Sequence, residues 1–228
     1  MKHKLVLPDR LKAVASLIPQ CKVLADIGTD HAYIPIFTVL NGIAKTSIAA
    51  DVVDGPLKIA KDNINSYMLS DKISVVKSDG LNNINNADII VIAGMGGTLI
   101  ADILEANIEK AKNADTLILQ PMSCAFELRK RLHHLGFLID NEILVKDTGK
   151  IYTAMAVKKG QQKYDCDIQY EIGKYLIDNQ PPLFNEYINH KISVYYKRIL
   201  NMKNSSNDFV KTEIINLKEI IEQLKGLI

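Results

Sequence analysis

The hydrophobic pattern of the chain switches repeatedly between two spacings from Leu5 to Gly136. Short, mostly apolar runs predict strands, and segments with apolar residues every three or four positions predict helices. The predicted strands are "KVLAD", "TSIAAD", "ISVVK", "ADIIVIAG" and "DTLILQP". The predicted helices are "LVLPDRLKAVASLIP", "HAYIPIFTVLNG", "GPLKIAKDNINSYM", "TLIADILEANIEKA" and "AFELRKRLHHLG". Strands that alternate with helices in this way are typical of a doubly wound α/β fold with a parallel sheet.

The end of this region breaks the alternation. "FLIDNEILV" and "IYTAMAV" are separated only by "KDTGK", which leaves no room for a helix. We therefore predict a β-hairpin that gives the sheet a terminal antiparallel edge. Rossmann-like sheets of class I S-adenosylmethionine methyltransferases end in this way, whereas nicotinamide-binding sheets usually do not, and this fold-level analogy favours the former.

The last third of the chain is predicted to be helical. Its apolar residues follow a 4, 3 spacing in two stripes on either side of the polar stretch "NSSND". The stripes are Ile188, Ile192, Tyr195, Ile199 and Met202, then Val210, Ile214, Leu217, Ile221, Leu224 and Ile228. Two such stripes around a short turn predict a coiled-coil-like helical hairpin. We place the domains at residues 1–162 and 163–228.

Composition and charge limit the partners and the cellular compartment that we expect for the protein. The formal net charge is only +2 over 228 residues, so affinity for a nucleic acid must come from local basic patches. The three cysteines are widely spaced, which indicates neither a metal site nor a disulfide framework and favours a reducing compartment. We see no signal peptide and no apolar run of the ~20 residues that span a bilayer. We expect a cytoplasmic protein without a metal or membrane association.

The loop after the first predicted strand carries unusual chemistry. "ADIGTDHAY" has a single glycine, Gly28, where a pyrophosphate cradle has three. Asp26, Thr29, Asp30 and His31 surround it, and a carboxylate would repel a pyrophosphate. The methionine part of S-adenosylmethionine carries an ammonium and a sulfonium, which acidic side chains suit. The alternatives are that Asp30 only caps the next helix and that Asp26 only bonds loop amides.

The ends of the other strands offer further ligand positions, because ligands of open α/β sheets bind beyond the carboxyl ends. Asp51, beside Val52, lies 23 residues after Gly28, where Rossmann-like sheets hold a ribose. The acid of Asp79-Gly80 can accept a hydrogen bond from an adenine amino group. Gly94 and Met95 in "AGMGG" let the backbone approach a flat group. Each position also has a simpler structural explanation. Asp51 could start the next helix, Asp79-Gly80 could form a turn, and the glycines of "AGMGG" could allow the turn from strand to helix.

Five motifs in order identify a family. "ADIGTDHAYIP", "DVVDGPLKIAKDNI", "IAGMGGTLIADIL", "LILQPM" and "GKIYTAMAV" together resemble the bacterial tRNA (adenine-22 N1)-methyltransferases. The resemblance implies a Rossmann-like domain that binds S-adenosyl-L-methionine, a coiled-coil-like second domain, and a product S-adenosyl-L-homocysteine. The cofactor site then consists of Asp26, Gly28, Thr29, Asp51, Val52, Asp79, Gly80, Gly94 and Met95, and the expected catalytic residues are Asp30 and His31. Asp30 and His31 lie where cofactor and adenine meet. Two positions depart from the family pattern, Met122 in place of Asn and Asp147 in place of Glu.

A tRNA substrate requires basic residues that hold its backbone. The family resemblance points to Arg10 and to Gln120 and Pro121 in "LILQP". The local basic clusters add Arg129 in "ELRKRLHH", Lys191, Lys197 and Arg198 in the helical hairpin, and Lys2, Lys4 and Lys203. Residues 161–228 hold nine Lys/Arg and nine Asp/Glu, so only local clustering makes that domain an RNA-binding candidate.

Other functions fit part of the pattern. One is a methyltransferase for another RNA, a protein or a small molecule, with the hairpin used for dimerisation. A second is a non-catalytic, nucleotide-sensing interaction protein. A nicotinamide-dependent oxidoreductase ranks third, because of the missing glycines. The sequence does not fix the oligomeric state, and we favour a monomer.

Overall fold

The computed structural model describes residues 5–202 and 208–228, in which there are ten helices and seven strands. The strands are β1 (Cys21–Ile27), β2 (Ala44–Asp51), β3 (Ile73–Lys77), β4 (Ile89–Gly96), β5 (Thr116–Ser123), β6 (Phe137–Asp147) and β7 (Lys150–Lys159). The helices are α1 (Asp9–Ser16), α2 (Tyr33–Leu40), α3 (Asp54–Ser66), α4 (Gly97–Ala106), α5 (Ile108–Asn113), α6 (Ala125–His134), α7 (Ile168–Ile172), α8 (Lys174–Asn179), α9 (Phe184–Met202) and α10 (Asp208–Lys225). The candidate residues Lys2, Lys4 and Lys203 and most of the predicted "NSSND" turn lie outside the described residues.

All seven strands form one sheet in the order β3-β2-β1-β4-β5-β7-β6. Strands β1 to β5 are parallel, and β7 runs antiparallel to both of its neighbours, β5 and β6. Thr148 and Gly149 connect β6 to β7 with φ angles of 48° and 78°. Two positive φ angles at the centre of a two-residue turn match the twist of a hairpin. The Rossmann-like sheet with a terminal antiparallel hairpin is therefore confirmed.

The sheet is covered on both faces by apolar side chains. One core contains Val14 of α1, Ile36 of α2 and Ala60 of α3. The other core contains Ile100 of α4 and Leu128 of α6. Burial on both faces explains why β4 and β5 read as near-continuous apolar runs in the sequence. The carboxyl ends of the five parallel strands meet along one edge, where the candidate residues were predicted.

Two predicted helices differ from the structure. The segment "TLIADILEANIEKA" forms two helices, because Asn107 leaves helical geometry with φ −133° and ψ 48°. Its side-chain amide donates to Asn82 Oδ1 at 3.0 Å, which ties this break to the loop after β3. Helix α2 begins at Tyr33, so Asp30 and His31 lie in the loop before it.

The chain divides into two compact units, Met1–Lys163 and Tyr164–Ile228. In the second unit α9 and α10 pack along the predicted apolar stripes, with Ile199, Leu217 and Ile221 buried between them. No helix among the described residues has the length and apolar character needed to cross a bilayer.

Candidate active site

The turn after β1 is held by the neighbouring strand. The amides of Gly28 and Thr29 both donate to the carbonyl of Ala50 on β2, at 2.8 and 3.0 Å. Gly28 has φ +74°, a conformation that favours glycine. Ala32, the residue before α2, also has a left-handed backbone, and no side chain caps that helix. The alternative that Asp30 only caps α2 is therefore wrong, and so is the bonding of these two loop amides to Asp26.

A cavity of about 310 Å³ opens beside this turn. It is lined by Arg10, Asp26, Gly28, Thr29, Asp30, His31 and Gly94, all predicted from the sequence as site residues. The N-terminal helix, the β1 loop and the end of β4 thus meet around one space. Residues that are up to 84 positions apart in the sequence, Arg10 and Gly94, therefore line the same pocket.

Asp26 is the buried acid of this pocket, with 7% of its surface exposed. Burial raises the pKa of Asp26 to about 7, and the negative charge of Asp51 adds to the rise. The nearby Thr29 hydroxyl offsets part of this effect. That hydroxyl is itself buried and has no partner of normal hydrogen-bond geometry among the residues that the structure describes. A buried hydroxyl without a partner next to a buried acid with a raised pKa is expected for a ligand site.

Asp30 and His31 form the exposed side of the pocket. His31 Nε2 lies 3.1 Å from Asp30 Oδ2, and the two side chains are 38% and 69% exposed. The His31 ring stacks on Tyr33 with a centroid distance of 5.0 Å and an interplanar angle of 14°. The stack holds the imidazole next to the Asp30 carboxylate, and both side chains line the cavity.

The end of β4 is irregular and contains glycine, which leaves its backbone without a side chain at Gly94. The β4–β5 register shifts on both sides of Met95, next to Gly94, which has φ +81°. Such irregularities are common beside active sites, where they turn backbone groups toward a ligand. The Met95 side chain lies over Gly28, so that a Cβ added at Gly28 would clash with Met95 Cε at 1.9 Å.

The remaining predicted cofactor residues lie farther along the same edge. Asp51 ends β2, and its Oδ1 accepts a hydrogen bond from the Val53 amide at 2.8 Å. Helix α3 has no side-chain cap, and its first residue, Asp54, pairs with Lys77 at 2.8 Å. Val52 is 54% exposed beside it. Asp79 and Gly80 follow β3, and Gly80 has φ +53°. The predicted cofactor residues Asp51, Val52, Asp79 and Gly80 do not line the 310 Å³ cavity itself.

Arg10 is anchored by residues distant in sequence. Its Nη1 donates to Gln120 Oε1 at 2.7 Å, and its Nε lies 3.9 Å from Asp147 Oδ2. Gln120 is fully buried, and its Oε1 also accepts from the Gly94 amide at 3.2 Å. A direct contact of Gln120 or the buried Pro121 with RNA, as predicted, does not fit this geometry. Gln120 instead positions Arg10 and the end of β4.

The predicted RNA contact at Arg129 is wrong. Arg129 is completely buried, and its Nη2 donates to Glu142 Oε1 at 2.6 Å. The same oxygen accepts from Thr153 Oγ1 at 2.5 Å. An arginine with no exposed surface cannot reach a phosphate, so this residue belongs to the packing of α6 on the terminal hairpin.

The three basic candidates of the second unit differ in their surroundings. Lys191 lies 2.6 Å from Glu171 and 5.7 Å from the ring centroid of Tyr187, so its charge is already balanced. Arg198 pairs with Glu213 but keeps 59% of its side chain exposed. Lys197 is exposed as well. Lys197 and Arg198 therefore remain candidates for RNA contact, whereas Lys191 is the weaker one.

Several residues of the pocket were not predicted. Tyr33, Leu11 and Ala93 line the cavity, and Tyr33 holds His31. The two-residue spacing of His31 and Tyr33 could have indicated that both side chains lie close together at the start of α2. No sequence pattern indicates Leu11, because α1 reaches the pocket through tertiary packing on β5, β6 and β7.

Comparison with known proteins identifies the family of this chain. Residues 24–226 match the profile of the family described as tRNA (adenine(22)-N(1))-methyltransferase. The tRNA (adenine(22)-N(1))-methyltransferase of Bacillus subtilis strain 168 is 33% identical over 97% of this chain and 98% of its own. The chain belongs to the tRNA (adenine(22)-N(1))-methyltransferase family. The predicted resemblance is confirmed.

Solved structures of similar proteins contain the expected cofactor or its product. A Streptococcus pneumoniae protein in complex with S-adenosyl-L-methionine is 34% identical, with a TM-score of 0.83 over 97% of this chain and 99% of that one. M. capricolum TrmK in complex with S-adenosyl-homocysteine is 27% identical, with a TM-score of 0.83 over 97% and 99% of the two chains. These tRNA (adenine(22)-N(1))-methyltransferase relatives share the whole fold, including the C-terminal helices.

The pocket of this family member fits the chemistry of that cofactor. The glycines Gly28 and Gly94, the buried Thr29 hydroxyl without a hydrogen-bond partner among the described residues, and the buried acid Asp26 suit a ligand with cationic centres and no phosphate. Among the described residues no group of three His, Cys, Asp or Glu side chains is placed to hold a metal ion.

Proposed function

We propose that this chain transfers a methyl group from S-adenosyl-L-methionine to N1 of adenine 22 in tRNA, with the 310 Å³ cavity as its active site. Family membership supports the activity. The observation that carries the site is the juxtaposition of the exposed Asp30–His31 pair with the buried Asp26 around the Gly28 turn.

The cofactor residues have distinct roles in this proposal. S-adenosyl-L-methionine supplies, when bound, an electrophilic methyl group on a sulfonium and leaves as S-adenosyl-L-homocysteine. Asp26 and the Thr29 hydroxyl bind its cationic methionine part, and Gly28, Gly94 and Met95 shape the wall around it. Asp51 and Val52 bind the ribose, and Asp79 and Gly80 bind the adenine of the cofactor.

The residues of the exposed side handle the charge of the target base. Adenine N1 holds an in-plane lone pair, so it requires no general base before it attacks. The ring becomes positively charged as the new bond forms, and the Asp30 carboxylate stabilises that charge. Asp30 can also accept a proton from N6. His31, 3.1 Å away, orients Asp30 and is the second acid or base of the pair.

The target base must leave its stack to reach a pocket of this kind. We propose that residues 164–228 form the arm that holds the tRNA, with Lys197 and Arg198 on its exposed surface. RNA helices are bound largely through shape and backbone, which an elongated pair of helices can follow. Because this unit holds eight Lys/Arg and nine Asp/Glu, the contact depends on these local cations.

The Asp30→Ala variant tests the catalytic assignment. We expect turnover to fall by at least ~100-fold, because one preorganised group that stabilises developing charge is worth this much or more. S-adenosyl-L-methionine affinity should stay close to that of the unmodified protein, since Asp30 is mostly exposed and acts on the base. Labelled cofactor, bacterial tRNA and mapping of the methylated base give the rate and the position, and calorimetry gives the affinity.

Glu127→Ala, an acidic residue exposed on α6, is the control for loss of a negative charge. Normal turnover by Asp30→Ala would refute the role of Asp30. Methyl on an atom other than adenine N1, or on another molecule, would refute the proposed reaction.

A further inference from the structure

A groove runs between α3 and β3, the outermost strand at one side of the sheet. Its volume is about 450 Å³, and it shares no lining residue with the 310 Å³ cavity. Three of the side chains that line it are apolar and buried, since Leu57, Ile64 and Ile73 are 9%, 1% and 3% exposed. The groove therefore combines an open mouth with an apolar floor, as interaction surfaces often do.

The strand beside this groove has a free edge. Strand β3 pairs with β2 on one side and with no strand on the other. The Ser47 amide on β2 donates to the Lys72 carbonyl at 2.9 Å, so by the alternation of a parallel pair the Val75 backbone points away from β2. In the described part of the chain no group bonds the Val75 amide, the Val75 carbonyl or the Ile73 carbonyl. These donors and acceptors are available to another extended chain.

Two lysines stand over the groove. Lys58 and Lys61 are exposed on α3, and the groove lining contains no Asp or Glu. Asp62, next to Lys61 in the sequence, does not line it. Neither lysine has an ion pair or hydrogen bond with another described residue, whereas Lys77 is paired with Asp54 at 2.8 Å. The groove thus carries two positive charges that no ion pair balances.

These features together favour one kind of partner. A free strand edge binds an extended peptide through backbone hydrogen bonds. Apolar side chains of that peptide fit the floor of the groove, and acidic ones fit Lys58 and Lys61. RNA phosphates only accept hydrogen bonds, so they offer nothing to the free carbonyls of Ile73 and Val75. A second copy of β3 would bring its own two lysines, and like charges disfavour that pairing.

We propose that the groove between α3 and β3 docks an extended, acidic segment of a partner protein, which adds an eighth strand to the sheet beside β3. This surface is separate from the proposed methyl-transfer site, because the groove and the cavity have no lining residue in common. The inference does not rest on the proposed function.

The test uses the full chain and a fluorescein-labelled peptide of about six residues in which glutamate and valine alternate. Fluorescence polarisation should give a Kd between about 10 μM and 1 mM, which rises with added salt. A peptide of alternating lysine and valine should bind at least ~10-fold more weakly. N-methylation of every second residue removes the N–H groups from one edge of the peptide, and one of the two peptides methylated in this way should lose binding.

The double variant Lys58→Glu/Lys61→Glu should weaken binding of the acidic peptide by about 10- to 100-fold, because two attractive charge pairs become repulsive. Lys45→Glu is the matched control, since Lys45 is exposed on β2 and lies outside the groove lining, and it should bind normally. Val75→Pro removes an outward amide that an edge strand does not need for its own pairing. It should weaken binding more than Val75→Ala does, with folding checked by circular dichroism.

Equal binding of the acidic and basic peptides, or normal binding by Lys58→Glu/Lys61→Glu, would overturn this inference and leave the proposed function untouched. If the acidic peptide does not bind and the double variant loses affinity for tRNA, the groove belongs to RNA and the inference is wrong. A dimer of the unmodified protein that the double variant abolishes would assign the groove to a second copy of the chain instead.

Discussion

Asp26 lies at the end of a buried strand, and burial of its charged carboxylate destabilises the protein without a ligand. Its pKa of about 7 means that the folded protein binds the proton more tightly than the unfolded chain, whose ordinary value is 3.8. The stability associated with this proton is complete below about pH 3.8 and is lost as the pH rises through about 7. The charged form of Asp26 therefore does not stabilise the fold, and in the proposed function it binds the cationic part of the cofactor.

Asp26→Asn should accordingly stabilise the free protein at about pH 8, by up to a few kcal/mol, and less at about pH 5. Urea unfolding of both proteins across this range measures the difference. The same substitution should weaken binding of S-adenosyl-L-methionine, because the cationic ligand loses its buried partner. Asp30→Asn, 69% exposed, is the control and should change stability little at any pH. A destabilised Asp26→Asn protein at about pH 8 would contradict this account of the residue.

Individual site residues could be predicted where one segment carries all of the chemistry. Asp26, Gly28 and Asp30 lie within five positions, and their types already argue against a pyrophosphate. Arg129 was misassigned because its neighbours are basic. Yet it stands one turn before Leu132, and Leu132 is buried. That spacing indicates the buried face of α6.

At the scale of elements, the terminal hairpin is attached to the sheet domain through a buried ion pair. Arg129 on α6 and Glu142 on β6 have no exposed side-chain surface, and Thr153 on β7 adds a hydrogen bond to Glu142. Three elements therefore meet at one charged group. A β-bulge between Ile139 and Asn141 shifts the alternation of β6, which turns Glu142 to the buried side. A regular strand pattern could not have predicted that burial.

Glu142→Gln should destabilise the protein by about 3–5 kcal/mol, because it leaves the Arg129 charge buried without a balancing carboxylate. Denaturant unfolding measures this free energy. Asp140→Asn is the matched control on the same strand, since its pair with Lys158 is about half exposed, and it should cost under ~1 kcal/mol. Equal effects of the two substitutions would show that the buried pair has no special role in attaching the hairpin.

At the scale of the whole molecule, the order of strands and helices was predictable because each strand is bounded by loop residues and each helix has one apolar face. The break at Asn107 and the late start of α2 were not, since both depend on loops that pack against other strands. The pocket wall formed by α1 was also hidden, because Arg10 and Gln120 are 110 residues apart.

The two compact units predict a separation of functions. A fragment of residues 1–163 should bind S-adenosyl-L-methionine with nearly unchanged affinity, because all residues of the proposed cofactor site lie within it. Methylation of tRNA by this fragment should be lost, because the proposed RNA arm is missing. Circular dichroism checks its folding, calorimetry its cofactor affinity, and labelled cofactor its activity. Full activity of the fragment would assign all tRNA contacts to the first unit.

The strand order also has a consequence for synthesis on the ribosome. Residues Thr116–Pro121 of β5 are buried, and their hydrogen-bonding partner on the outer side is β7, the last strand to be made. At ~5–20 residues per second, β5 is exposed for a few seconds with an unpaired apolar edge before β7 emerges. An edge of this kind is a template for association with another nascent chain. The pairing of β7 between β5 and β6 makes the final strand the one that closes the domain, so a ribosome that stalls before Lys150 leaves behind an aggregation-prone chain.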